Sequence, residues 1–145
     1  MGDYSLAFTG SQVDARLERP VGVTGGGTGQ TTRYTNVTAA LDTSVATGHN
    51  ITVRHFPYLN MCFVRGTVVL DHVAVSAGAW VPVATIPDGY LPLYRTSLSA
   101  AMGTGSRPVS ARINNDGVIE ICLADDISSS YSYYAYFSGW WLVST

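Results

Sequence analysis

The sequence predicts an all-β domain, an antiparallel sandwich or barrel, preceded by a short helix and a glycine-rich connector. Three observations carry this. From about residue 34 onward, apolar residues alternate with polar ones at a period of two. Turn signals break that pattern at intervals of about 8–12 residues, the spacing of short antiparallel strands. No helical period appears after residue 20.

Residues 1–33 read differently from the rest. Thr9 to Arg19 predicts one short helix, with Ser11 as its cap and Asp14 in a capping-box-like position. Val13 and Leu17 form a narrow apolar stripe, and Pro20 ends the helix. So short a helix is not stable alone in water, so the stripe needs a partner, most simply a second copy of itself. The segment Gly22 to Thr32 follows, with five glycines in eleven residues. It fits neither phosphate-binding pattern. Gln30 stands where the Walker motif needs Lys, and the dinucleotide spacing is broken at Gln30 and Thr32. A flexible or tightly packed connector is the expectation.

Residues 34–145 form the β domain. Ile51 to Phe56 alternates. Met61 to Leu70 is a long strand with apolar residues on both faces. Its Cys62, Val64, Gly66, Val68 and Leu70 share one face, and Met61, Phe63, Arg65, Thr67 and Val69 the other. One face suits the core and the other a subunit interface. Trp80 to Ile86 contains Pro82, which points to an edge strand or a bulge. Leu93 to Met102 follows. Val109–Ile113 and Val118–Leu123 flank Asn114-Asn115-Asp116-Gly117, a hairpin whose Asp-Gly pair supplies positive φ angles. Tyr131 to Phe137 and Trp140 to Val143 close the chain, with Ser138-Gly139 as a two-residue turn or a bulge in one strand.

Composition narrows the function. Of 145 residues, eight are Arg, none is Lys and ten are acidic, for a formal net charge of −2. Without a run of positive charge, no nucleic-acid partner is expected. A hydrophobic fraction of 46% excludes a disordered chain. Only 12% of residues are charged, about half the usual quarter, so much of the surface is expected to be covered, most simply by other copies of the chain. Cys62 and Cys122 sit in apolar runs and read as buried free thiols. Residues 1–20 lack the pattern of a secretion signal, and no apolar stretch is long enough to span a bilayer, so no membrane insertion is expected. On that ground the acceptor patterns at Asn36 and Asn50 read as chance.

The pieces Phe8 to Leu17 and Gly25-Gly26-Gly27-Thr28-Gly29-Gln30-Thr31-Thr32 resemble segments of tail fibres of tailed bacteriophages and prophages. There such a connector precedes a C-terminal receptor-binding domain. Val81 to Pro92, the hairpin around Asp116-Gly117 and the aromatic last strand are similar to the β-sandwich head of phage receptor-binding proteins. Leu91 stands where a basic residue is common in that motif, so a role for that residue does not carry over. The resemblance implies a homotrimeric, jelly-roll-like head at a fibre tip in the virion. Its partner would be a bacterial surface polysaccharide or outer protein.

His49, His55 and His72 are not spaced as a metal pair, and adjacent Asp71 and His72 would point to opposite faces of a strand, so no metal or other cofactor is expected. Asp125-Asp126 read as a solvated loop. Asp116 and Glu120 are the nearest approach to a glycosidase pair, and there is no nucleophile elbow. Catalysis is not expected. The strongest ligand-binding candidates are aromatic, and Tyr131, Tyr133, Tyr134, Tyr136, Trp140 and Trp141 fall within eleven residues. In one strand, Tyr131, Tyr133 and Phe137 share one face, and Ser132, Tyr134 and Tyr136 the other. One face must be core; the other can stack on sugar rings. Tyr131, Tyr133, Tyr134, Tyr136 and Trp141 are therefore candidates. Tyr90, Arg95 and Arg107, near turns and a Gly-rich loop, form a second group, because an Arg can clamp an acidic group bidentately. The expected function is a non-catalytic receptor-binding tip. A structural tail-tip protein and a lectin-like domain are the alternatives.

Overall fold

A computed structural model describes residues 33–103 and 107–144, all of which but Arg33 belong to one compact unit, Tyr34–Thr145. The expected helix and glycine-rich connector lie outside the described residues. Among the described residues the protein is all-β, without a helix. The strands are β1 (Thr35–Val37), β2 (Ala40–Leu41), β3 (Gly48–Phe56), β4 (Met61–Asp71), β5 (Trp80–Thr85), β6 (Thr96–Met102), β7 (Val109–Ile113), β8 (Val118–Leu123) and β9 (Ser132–Leu142). They hydrogen-bond as one antiparallel sheet in the order β1-β3-β4-β9-β6-β7-β8-β5-β2.

The chain itself shows why this sheet must curl. β1 and β2 form its two edges, yet only Thr38 and Ala39 separate them. Three peptide units span at most about 11 Å, so the edges approach within that distance. β6 is the corner. Its first residues, Thr96–Leu98, pair with β7, and Ser99–Met102 pair with β9 on the other side. The inward side chains of both halves meet in one core, which includes Val53, Val64, Val68 and Phe137 from one half and Val83, Ile113, Ile119 and Ile121 from the other.

Local chemistry sets the turns. In the β3–β4 hairpin, Asn60 takes the left-handed conformation (φ 50°), which Asn tolerates, and its side chain donates to the Val143 carbonyl at 3.0 Å. The β7–β8 hairpin falls where expected, but only Gly117 has a positive φ, of 83°. Asn115-Asp116-Gly117 is a three-residue loop, closed by the Asn114 N–H donating to Val118 O at 2.9 Å. Asp116 accepts the Val118 N–H instead. Pro82 does mark a bulge, because the β5–β8 register slips between Pro82 and Ala84.

Two expectations change. Ser138-Gly139 is neither turn nor bulge, since β9 pairs with β4 without a break from Ser132 to Leu142. A Cβ at Gly139 would lie 2.6 Å from Cδ2 of Leu98 on the corner strand, so a larger residue there would push that side chain aside. Cys62 is buried as expected, but Cys122 is only half-buried, on the outward side of β8 opposite Trp80.

Candidate functional site

The long strand β4 faces two ways, and its neighbours follow it. Cys62, Val64, Gly66, Val68 and Leu70 are all buried, so that face is core. The opposite face looks out. Register across β3, β4, β9 and β6 arranges its outward side chains in rows, with strands about 4.8 Å apart and rows about 6.7 Å apart. Phe56, Met61 and Leu142 form one row, and Arg54, Phe63 and Trp140 the next. Thr52, Arg65, Ser138 and Ser99 follow, then Asn50, Thr67, Tyr136 and Ala101.

The first two rows make an aromatic platform. Trp140 lies 4.7 Å from Phe63 and 5.8 Å from Phe56, centroid to centroid, and Tyr34 lies 5.9 Å from Phe56. Arg54 sits 4.7 Å over the Tyr34 ring. Trp140 remains 49% exposed and Leu142 50%. Beyond the platform the face dips, because Thr52, Ser138, Ser99 and Ala101 are small while Phe63 and Tyr136 stand at either end. Two shallow grooves result, of about 380 Å³ and 320 Å³, and Arg65 and Thr67 line both. Arg65 is exposed, and among the described residues no carboxylate lies within ion-pair distance of it. Asp71, an acid on the same strand and face, is six residues away, about 20 Å. The groove is therefore a positively charged depression of hydroxyls and an amide, bounded by rings.

The outward face of the other half is closed. Arg112 lies 3.8 Å over the Trp80 ring and donates from Nε to Glu120 at 2.7 Å. Asn114 donates to the same carboxylate oxygen at 2.9 Å. Glu120 is thus committed to the hairpin, as Asp116 is to its turn. Asp126 is not merely solvated. It accepts the Ala77 N–H at 2.6 Å and ties two loops together. Asp71 and His72 do not diverge either. The strand ends at Asp71, His72 turns left-handed (φ 55°), and the two side chains approach to 3.6 Å. No group of three or more His, Cys, Asp or Glu placed to hold a metal occurs among the described residues.

No protein-family model matches this chain, and no curated protein matches it significantly. The site is therefore read from its own residues.

The aromatic candidates divide between the two faces of β9. Tyr134 and Tyr136 are outward, 42% and 45% exposed, and Tyr136 lines the larger groove. Tyr133 and Trp141 require correction. They are 8% and 2% exposed and belong to the core, so their rings offer no surface to a ligand. Trp141 Nε1 donates to the Tyr90 carbonyl at 2.8 Å, which satisfies its polar handle in the interior. Tyr131 precedes the strand and is exposed.

The second group of candidates does not converge. Tyr90 is half-buried, 5.2 Å from the His55 ring. Arg107 is half-buried, donates to Asp126 O at 3.2 Å and lies 5.7 Å from the Tyr133 ring, closing a loop. Arg95 is exposed and lines neither groove. Phe63, Arg65 and Trp140 were not candidates in the sequence reading. The signal that could have found the two rings is strand parity, since an unbroken β9 puts Trp140 outward with Tyr136 and beside outward Phe63.

Proposed function

We propose that this chain is the receptor-binding tip of a phage or prophage tail fibre, attaching to a bacterial surface glycan or protein without catalysis. The single observation that carries this is the outward face of β3, β4, β9 and β6, where exposed Tyr136 and half-buried Phe63 border a hydroxyl-lined groove with an open Arg65. Flat rings offer apolar faces to sugar C–H groups, and hydroxyls, amides and Arg offer hydrogen bonds to sugar hydroxyls. In this reading the curled sheet is a jelly-roll-like sandwich. Edges within about 11 Å fit the roughly 10 Å thickness of such a core. The assembly is a homotrimer. Three copies would multiply a weak single-site affinity by avidity.

A second reading has its own support. The apolar end of the same face (Phe56, Met61, Trp140, Leu142) suits docking to another tail component, which would make the chain structural. Whole-cell adsorption separates the two readings. Fluorescently labelled protein should coat host cells and be competed off by extracted surface polysaccharide. A chain that coats no strain in a broad panel refutes the receptor reading. Light scattering should give about 46 kDa, three times 15.5 kDa; about 15.5 kDa refutes the trimer.

A further inference from the structure

We infer that the groove takes an anionic saccharide, a sugar bearing a carboxylate or a phosphate, with Arg65 as its charge anchor. This deepens the receptor-binding reading and rests on it. Four features favour this ligand class. Arg65 stands where the two grooves meet and has no carboxylate partner among the described residues, although the chain carries more acids than cations. Arg112, by contrast, is fully engaged. An unpaired guanidinium presents a planar fork suited to a carboxylate or phosphate. Around it the floor carries Thr52, Thr67, Ser99 and Ser138 hydroxyls with Asn50, partners for ring hydroxyls. Phe63 and Tyr136 stand at the two ends, four residues apart along the strand direction, or about 13 Å. That leaves room for a sugar ring lying flat between the aromatics. A purely apolar partner would strand Arg65 and the hydroxyls without hydrogen bonds, which is costly.

The test titrates the full chain with a matched set by calorimetry and saturation-transfer NMR. The set is a glucose tetrasaccharide, its C6-oxidised glucuronate form and its 6-phosphate form. The expected result is that one or both anionic forms bind more tightly than the neutral one. Arg65→Gln should weaken that binding about tenfold to hundredfold, and Arg65→Lys should retain part of it. Arg95→Gln, outside the groove, should change nothing. Whether glucuronate or phosphate binds better identifies the source of the charge, and either supports the inference. Ser99→Trp, which fills the floor, should abolish binding with the solution mass unchanged. Equal binding of all three sugars, no binding of any, or anion binding that survives Arg65→Gln overturns the inference. A solution mass that drops in Ser99→Trp also overturns it, since the groove would then be a contact between copies. Cell adsorption that persists in Arg65→Gln sinks the anionic site and leaves the receptor reading standing. Anion binding without any cell adsorption does the reverse.

Discussion

The two halves of the curled sheet each present one face to solvent, and the two faces treat Arg112 and Arg65 in opposite ways. On the β5–β8–β7 side, Arg112 is clasped between the Trp80 ring and Glu120, with Asn114 completing the carboxylate. On the β3–β4–β9 side, Arg65 lies in a groove with no carboxylate within ion-pair distance among the described residues, and the neighbouring Trp140 packs at a tilt against Phe56 and Phe63. Both faces are built from similar residue types. The difference is whether the polar groups are satisfied within the chain. Satisfied groups hold the fold; unsatisfied ones on an exposed surface are available to something outside it. In a chain this poor in charge, that contrast marks a site better than the mere presence of Tyr or Arg.

The largest effect that sharpens the contrast comes from neighbouring indoles. Trp141→Ala should cost about 3–5 kcal/mol in urea unfolding, because it empties a core position and strands the Tyr90 carbonyl. Trp140→Ala should cost no more than about 1.5 kcal/mol, the worth of exposed ring pairing. Similar losses for both would mean that β9 does not separate an inside from an outside. Next, Arg112→Gln should cost about 1–2 kcal/mol, since its side chain is only 23% exposed and leaves Glu120 half-partnered. Arg65→Gln should stay within about 0.5 kcal/mol. A destabilising Arg65 change would place that residue among the structural ones and break the comparison.

Cysteine chemistry gives a smaller, qualitative separation. Burial pushes the Cys62 thiol up to about 12, so it stays protonated at pH 8, whereas Cys122 is partly accessible on the closed face. Iodoacetamide on the folded protein should modify one thiol, and both after denaturation. The same burial stabilises the fold fully below pH 9, the thiol's ordinary value, and that contribution is lost as pH rises towards about 12. The smallest effect lies outside both faces. The Ser44 hydroxyl and N–H, at 2.6 and 2.9 Å, hold the Asp42 carboxyl below its ordinary range. Its contribution is present at neutral pH and lost as pH falls through the lowered value. The gap in unfolding midpoint between wild type and Asp42→Asn should therefore narrow on going from pH 7 to pH 3.

Much of the fold was legible because period-two patterning and turn chemistry are local. The β7–β8 hairpin, the parity of Met61 to Leu70 and the bulge at Pro82 all follow from a few adjacent residues. The short strands β1 and β2 carry too few residues for a period to register, and only their edge pairings define them. The site was half legible. Tyr134 and Tyr136 could be put together on one face, but Ser138-Gly139 looked like a break. A break resets the parity of everything after it, whereas the unbroken β9 puts Trp140 outside and Trp141 inside. The close packing of Gly139 against the Leu98 side chain accounts for a glycine within an unbroken strand. Arg65 is not legible in the sequence for a different reason. Its lack of a partner is a property of three dimensions, invisible in a line of residues.

The shared strand β6 has a consequence for how the protein melts. Adjacent residues of one short strand donate their ladders to different halves, Leu98 to β7 and Ser99 to β9. Neither half can detach without stripping a border of the other. The domain should therefore lose structure in a single calorimetric transition, and the amides of Leu98 and Ser99 should exchange with deuterium only as fast as the whole molecule opens.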